Sequence, residues 1–174
     1  MLPDVIETER LRLRPFRLQD VEDVLSYASD PEWGRFLPVP QPYTEEDTEK
    51  FVAGQLLLDG KHHRAWAIEL NGTVIGDINI SFDFPNRVAE IGYSISRTYW
   101  GRGYGTEAAG AVVDTAFSVH VELNKVRALA DPRNPGSLRV MEKIGMVREG
   151  ILRQNRVFRG ELVDEVCCGI LRSE

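Results

Sequence analysis

Apolar positions recur along the chain in two rhythms, and each change of rhythm marks a new element. Residues 10–15, RLRLRP, alternate arginine with leucine, as a half-buried strand does. Over 18–29 the period lengthens: Leu18, Val21, Val24, Leu25 and Ala28 fall at helical spacing. The stretch 30–43 carries four prolines and reads as irregular. Thr44 with Asp47 signals a helix start, and the helix is predicted to run to about Leu58. RAWAIEL and GTVIGDINISF read as two strands joined near Asn71-Gly72, a dipeptide suited to a hairpin turn.

VAEIGYSIS (88–96) is a further strand. Val88, Glu90, Gly92 and Ser94 share one face, small and polar past Val88; Ala89, Ile91, Tyr93 and Ile95 share the other, built for packing. A helix stripe follows at Ala109, Val112, Val113, Ala116 and Phe117, then a strand at 125–130, KVRALA. Asn134, Pro135 and Gly145 fit the cap, first residue and stop of another helix. Two last strands, about 147–157 and 161–171, meet at Arg159-Gly160. Hairpins combined with a single β-α-β crossover predict an α+β fold with a mixed sheet.

Between the 88–96 strand and its helix lies WGRGYGTEA, with Gly101, Gly103 and Gly105 at alternate positions. A glycine-rich turn that opens a helix leaves backbone amides free, and a phosphate can approach them closely. The amides of residues 102–106, with the Arg102 side chain, are therefore a candidate anion site. A tight strand-to-helix turn without a ligand is the competing reading. No Gly-Lys-[Ser/Thr] ends the loop, so it is not a P-loop. A dinucleotide site is disfavoured, since Thr106 stands where close helix packing wants Gly or Ala and the upstream region is hairpin material.

Composition narrows the setting. The 174 residues suit one domain, 1–174, with a real core, and 43% are hydrophobic. A net charge of −6 argues against nucleic acid as a partner and mildly favours cationic ones. No apolar run is long enough to span a bilayer and the N-terminus lacks a signal-peptide pattern, so a cytoplasmic protein is expected. Cys167 and Cys168 are strand neighbours facing opposite ways and read as reduced thiols. His62, His63 and His120 have no partners at metal-ligand spacing, so no metal is expected.

The glycine loop resembles motif A of the GNAT superfamily of acyl-CoA N-acyltransferases, with Gly103-Tyr104-Gly105 in place and Trp100 where Gln or Arg is usual. TERLRLRPFRLQDVEDVLSYASDPE, PYTEED and NPGSLRVMEKIGMVREG resemble the RimJ/RimL-like branch, in order and over nearly the whole chain. The resemblance implies a splayed central sheet of about seven strands flanked by about four helices. It implies acetyl-CoA as co-substrate and acetyl transfer to an amine, either a protein N-terminus or a small molecule, and it leaves a homodimer open. Coenzyme A would lay its pyrophosphate on Arg102, Gly103, Tyr104, Gly105 and Thr106, and its pantetheine arm beside Tyr93, Ser94 and Ile95, with Asn134 hydrogen-bonded to the arm. A backbone amide near Ile95 would face the oxyanion.

By the same resemblance Glu90 is the favoured base, with Asp77 the weaker alternative, and Ser137 is the favoured acid toward the thiol. Glu90 also fits a salt-bridged strand residue, and Ser137 and Asn134 fit plain helix-cap chemistry. Trp33 and Phe36, in the proline-rich segment, are candidates to line the acceptor cleft beside Asp77. Two other functions stay open: a CoA-binding sensor without catalysis, and a nucleotide-dependent oxidoreductase.

Overall fold

The computed structural model describes all 174 residues. In chain order the elements are β1 (Ile6–Glu7), β2 (Arg12–Arg14), α1 (Val21–Ala28), α2 (Glu45–Leu56), β3 (His63–Leu70), β4 (Thr73–Asp83), β5 (Val88–Ile95), α3 (Tyr104–Val119), β6 (Lys125–Ala130), α4 (Pro135–Lys143), β7 (Val147–Phe158) and β8 (Glu161–Leu171). One sheet of eight strands runs β1-β2-β3-β4-β5-β6-β8-β7. Every neighbouring pair is antiparallel except β5 and β6, which α3 joins as a crossover. The mixed α/β architecture is the one expected, with β1 as an added strand. β1 is too short for periodicity to mark, and it exists because it pairs with β2.

Helices cover both faces of the sheet. α3 presents Ala108, Ala109, Val112, Val113 and Ala116 to the larger core, where Met141 of α4 joins Trp66, Ile78, Ile80 and Ile91. The stripe read from the sequence is this contact surface; only Phe117 stays partly exposed. On the other face α1 and α2 bring Val24, Tyr27, Ala28 and Val52 onto Phe16, Trp33, Ala67 and Val74.

Two local expectations change. Leu18 was counted in the α1 stripe but is exposed, because residues 18–20 form a 3-10 turn and the α-helix starts at Val21. Arg14 belongs to the polar set of RLRLRP, yet it is buried. Its guanidinium reaches both Asp20 carboxylate oxygens at 2.8 Å and also donates to Glu69. A buried charge persists only when it is paired in this way. The pair fastens the turn leading into α1 onto β2. Other signals held: Thr44 and Asp47 form a reciprocal capping box on α2, and Asn71 and Gly72 both have positive φ in the β3–β4 turn.

Candidate active site

β5 and β6 pair only where Val88–Glu90 meets Lys125–Arg127. Beyond Glu90 they part, and β6 stays with β8 to Ala130 while β5 stays with β4 to Ile95. The wedge leaves Ile91–Ile95 without a strand partner on one side, and buried backbone donors and acceptors need partners. A cavity of about 580 Å³ opens there.

One wall is the start of α3. Gly103 caps the helix with φ +85°, a left-handed conformation that costs an ordinary side chain about 1–2 kcal/mol. The first helical bond runs from Glu107 N–H to the Gly103 carbonyl at 3.0 Å, so the amides of Tyr104, Gly105 and Thr106 have no helix partner. Gly103, Tyr104, Gly105 and Thr106 all line the cavity; Arg102 does not. Its guanidinium lies 5.6 Å from the Tyr99 ring centre, and its carbonyl accepts from Arg10 Nη1 at 3.0 Å. Arg10, which does not line the cavity either, packs against the loop and spends its charge on Glu107. It lies 4.4 Å over the Tyr104 ring and bonds Glu107 at 2.6 Å. Glu107 is partly desolvated, but hydrogen bonds from Thr8 and Arg10 win and hold its carboxyl below the usual range.

The facing wall is α4. Asn134 Oδ1 accepts from the Ser137 amide at 3.1 Å, capping the helix, and both residues line the cavity. Tyr93 rises from β5 to meet them, its hydroxyl 3.0 Å from the Ser137 carbonyl and 3.1 Å from Ser137 Oγ. Burial pushes the Tyr93 phenol up to about 12, against the Ser137 hydrogen bond. Arg139 and Lys143 sit one turn apart on the cavity side of α4. Their i,i+4 spacing with Val140 between is a signal the sequence itself carries. Trp100 donates its indole N–H to the Ile95 carbonyl at 2.6 Å, tying the end of β5 to the glycine turn where Gln or Arg was expected.

Tyr93, Ser94 and Ile95 form the β5 wall, and Trp33 and Phe36 face it from the proline-rich segment. That segment is anchored by Arg159 at the β7–β8 turn, which donates to the Gly34 carbonyl at 2.9 Å. Behind Ser94, its hydroxyl donates to Asp77 on β4. Burial pushes the Asp77 carboxyl up to about 6, against that hydrogen bond. Close backbone approach builds this corner: a Cβ on Gly76 would lie 2.2 Å from the Ser94 carbonyl oxygen.

Glu90 is not brought to the cavity. It lies in the zipped part of β5, where Arg127 Nε bonds its carboxylate at 2.9 Å. Glu90 is salt-bridged here because the register puts Arg127 directly beside it on β6. Cys167 and Cys168 are free thiols, pushed up chiefly by burial. No helix is long and apolar enough to cross a membrane.

Comparison with known proteins fits this geometry. The family profile described as the acetyltransferase (GNAT) domain matches residues 10–147. An uncharacterized N-acetyltransferase, p20 of Bacillus licheniformis, is 30% identical over 176 residues, covering 98% of each chain. The solved structure of a GNAT-family acetyltransferase from Bacillus anthracis superposes with a TM-score of 0.86 at 34% identity, over 98% of this chain and 99% of that one. RimJ of Mycobacterium smegmatis, in complex with CoA-disulfide, shares the fold at a TM-score of 0.84 over 98% of this chain and 88% of that one. Its 22% identity makes the likeness to that branch a distant one.

Proposed function

The chain belongs to the GNAT acetyltransferase family, and on that footing we propose that it moves an acetyl group from acetyl-CoA to a primary amine, by direct attack with both substrates in the β5–β6 cavity. One observation carries the reading: free helix amides, an unzipped strand edge and the Asn134-capped start of α4 with Ser137 converge on one cavity of about 580 Å³. A pyrophosphate on the amides of Tyr104–Thr106 would be met by the helix dipole. The pantetheine arm would pair with the open edge of β5 at Tyr93–Ile95, as an added strand does, and Asn134 would reach it from α4.

Ser137 is the residue we assign to the leaving thiol. Its Oγ lies in the cavity, with Tyr93 behind it to orient or resupply the proton. The amine acceptor enters from the Trp33 and Phe36 side. Named relatives differ in their acceptors. A spermidine N(1)-acetyltransferase of Escherichia coli K12 is 27% identical over 156 residues. A putative ribosomal N-acetyltransferase, YdaF of Bacillus subtilis 168, is 35% identical over 105. We take residues 1–174 as one catalytic unit, since the sheet that holds the cavity continues through β8. The free thiols support a cytoplasmic setting.

Thiol release from acetyl-CoA, followed across peptides with free N-termini, polyamines, amino acids and aminoglycosides, tests the reading. Turnover with one amine class establishes the transfer. Tight acetyl-CoA binding with no turnover across the panel would favour the non-catalytic sensor instead.

A further inference from the structure

Asp77 is a carboxylate with an unusual lack of partners. Ser94 Oγ is its one side-chain hydrogen-bond donor, and no arginine or lysine is paired with it. Tyr27 on α1 and Tyr43 ahead of α2 both feel its charge: burial raises both phenols, helped by Asp77 at Tyr27 and by Asp47 and then Asp77 at Tyr43, which reaches about 12. The nearby carboxylates have their own partners: Asp20 holds Arg14, Asp23 accepts the Val74 amide at 2.8 Å, and Asp47 is bound to Thr44. Trp33 packs between the two tyrosines, its ring centre 5.3 Å from Tyr27 and 5.9 Å from Tyr43. Tyr27 Oη and Trp33 Nε1 are buried with no hydrogen-bond partner. The uncompensated Asp77 charge beside three aromatic rings is complementary to a cation, and Ser94 and Trp33, though not Asp77 itself, line the cavity.

Resting on the acetyltransferase reading, we propose that Ser94 and Asp77 form the acceptor-amine end of the cavity: the acceptor's ammonium group is held there by the Asp77 charge, and its proton passes through Ser94 Oγ to the Asp77 carboxylate. Ser94 gives its hydroxyl proton to Asp77 as it takes one from nitrogen. The freed nitrogen lone pair forms the new C–N bond to the thioester carbon, and the carbonyl π pair moves onto oxygen. When that pair returns, the C–S bond breaks and its electrons leave on sulfur. The attacking nitrogen loses a second proton, and the thiolate gains one through Ser137. The proton on Asp77 goes to solvent, so an ammonium and a thioester give an amide, a thiol and one proton. The acceptor class is a primary aliphatic ammonium ion.

The test is the pH dependence of kcat/KM, measured with an acceptor found in the thiol-release panel and with saturating acetyl-CoA. In the wild type, activity rises with pH through an acid limb near 6, because the ionised carboxylate is the working form. Asp77→Asn should abolish that limb and lower kcat/KM by about a hundredfold or more, while its thermal shift with acetyl-CoA persists. Ser94→Ala keeps the carboxylate but removes the hydrogen bond that lowers its pKa. Its limb should move to higher pH, with activity about tenfold lower; this variant carries the test if Asp77→Asn does not fold. An Asp77→Asn enzyme with wild-type kcat/KM and an unchanged limb overturns this inference alone. A wild type that binds acetyl-CoA but acetylates no amine overturns the proposed function and this inference with it.

Discussion

The two ends of β5 each have a carboxylate on the same face of the sheet, Glu90 on the strand itself and Asp77 beside Ser94 on the neighbouring β4, in different surroundings. At the zipped end, Glu90 lies against Arg127 on a strand only one hydrogen-bond spacing away. At the open end, Ser94 and Asp77 face no cation, because β6 has already turned aside. Glu90 is committed to Arg127 and lies outside the cavity. A desolvated carboxylate without a counter-charge is ready to accept a proton, or to hold an ammonium ion. The chemistry thus depends on where the sheet splays rather than on which acidic residue stands closest to the glycine loop in sequence.

The largest test of this contrast pairs two isosteric changes. Asp77→Asn and Glu90→Gln should differ in kcat/KM by at least about a hundredfold, with Glu90→Gln staying within about threefold of wild type in steady-state assays. Comparable losses in both would erase the distinction. Ser137→Ala should lower kcat by about tenfold to a hundredfold, with little change in acetyl-CoA affinity, as stopped assays and equilibrium titration would separate. Gly103→Val forces a branched side chain into a φ of +85°, with Arg10 Nη2 3.3 Å from its Cβ. Acetyl-CoA binding by calorimetry should weaken about tenfold while the acid limb of the pH profile stays in place. Smallest of all, Asn134→Ala removes the α4 cap and should cost about 1 kcal/mol in urea unfolding.

Local signals were legible from sequence, and nonlocal ones were not. The glycine turn that opens α3, the Asn134 cap, the α3 stripe and the Asn71-Gly72 turn each depend on a few consecutive residues, and each lies where the pattern puts it. Glu90 had the right residue type on the right strand, but its role was decided by the β5–β6 register, which no short window contains. Arg10 and Glu107 stand 97 residues apart, so their ion pair against the loop is hidden from any short window, while Arg102 stands in the loop itself. Asp77 reads from sequence as a weaker base candidate and a cleft residue; that no cation is paired with it is a property of the packed α1 and α2 layer, which no short window displays. The burial of Arg14 was likewise hidden, since its partner Asp20 lies beyond the strand in a turn.

The most direct measurement is thermal unfolding of ligand-free protein with acetyl-CoA, with CoA and with NAD. Ligand at about a hundred times its dissociation constant adds about 2.7 kcal/mol. For a chain of this length that raises the midpoint by about 5–10 °C. The account predicts such a rise with acetyl-CoA and CoA, none with NAD, and a smaller rise for Gly103→Val at the same ligand concentration. No shift with either CoA ligand at any concentration would contradict it: the free amides of Tyr104–Thr106 would then belong to a turn, and the splay between β5 and β6 would hold some other molecule.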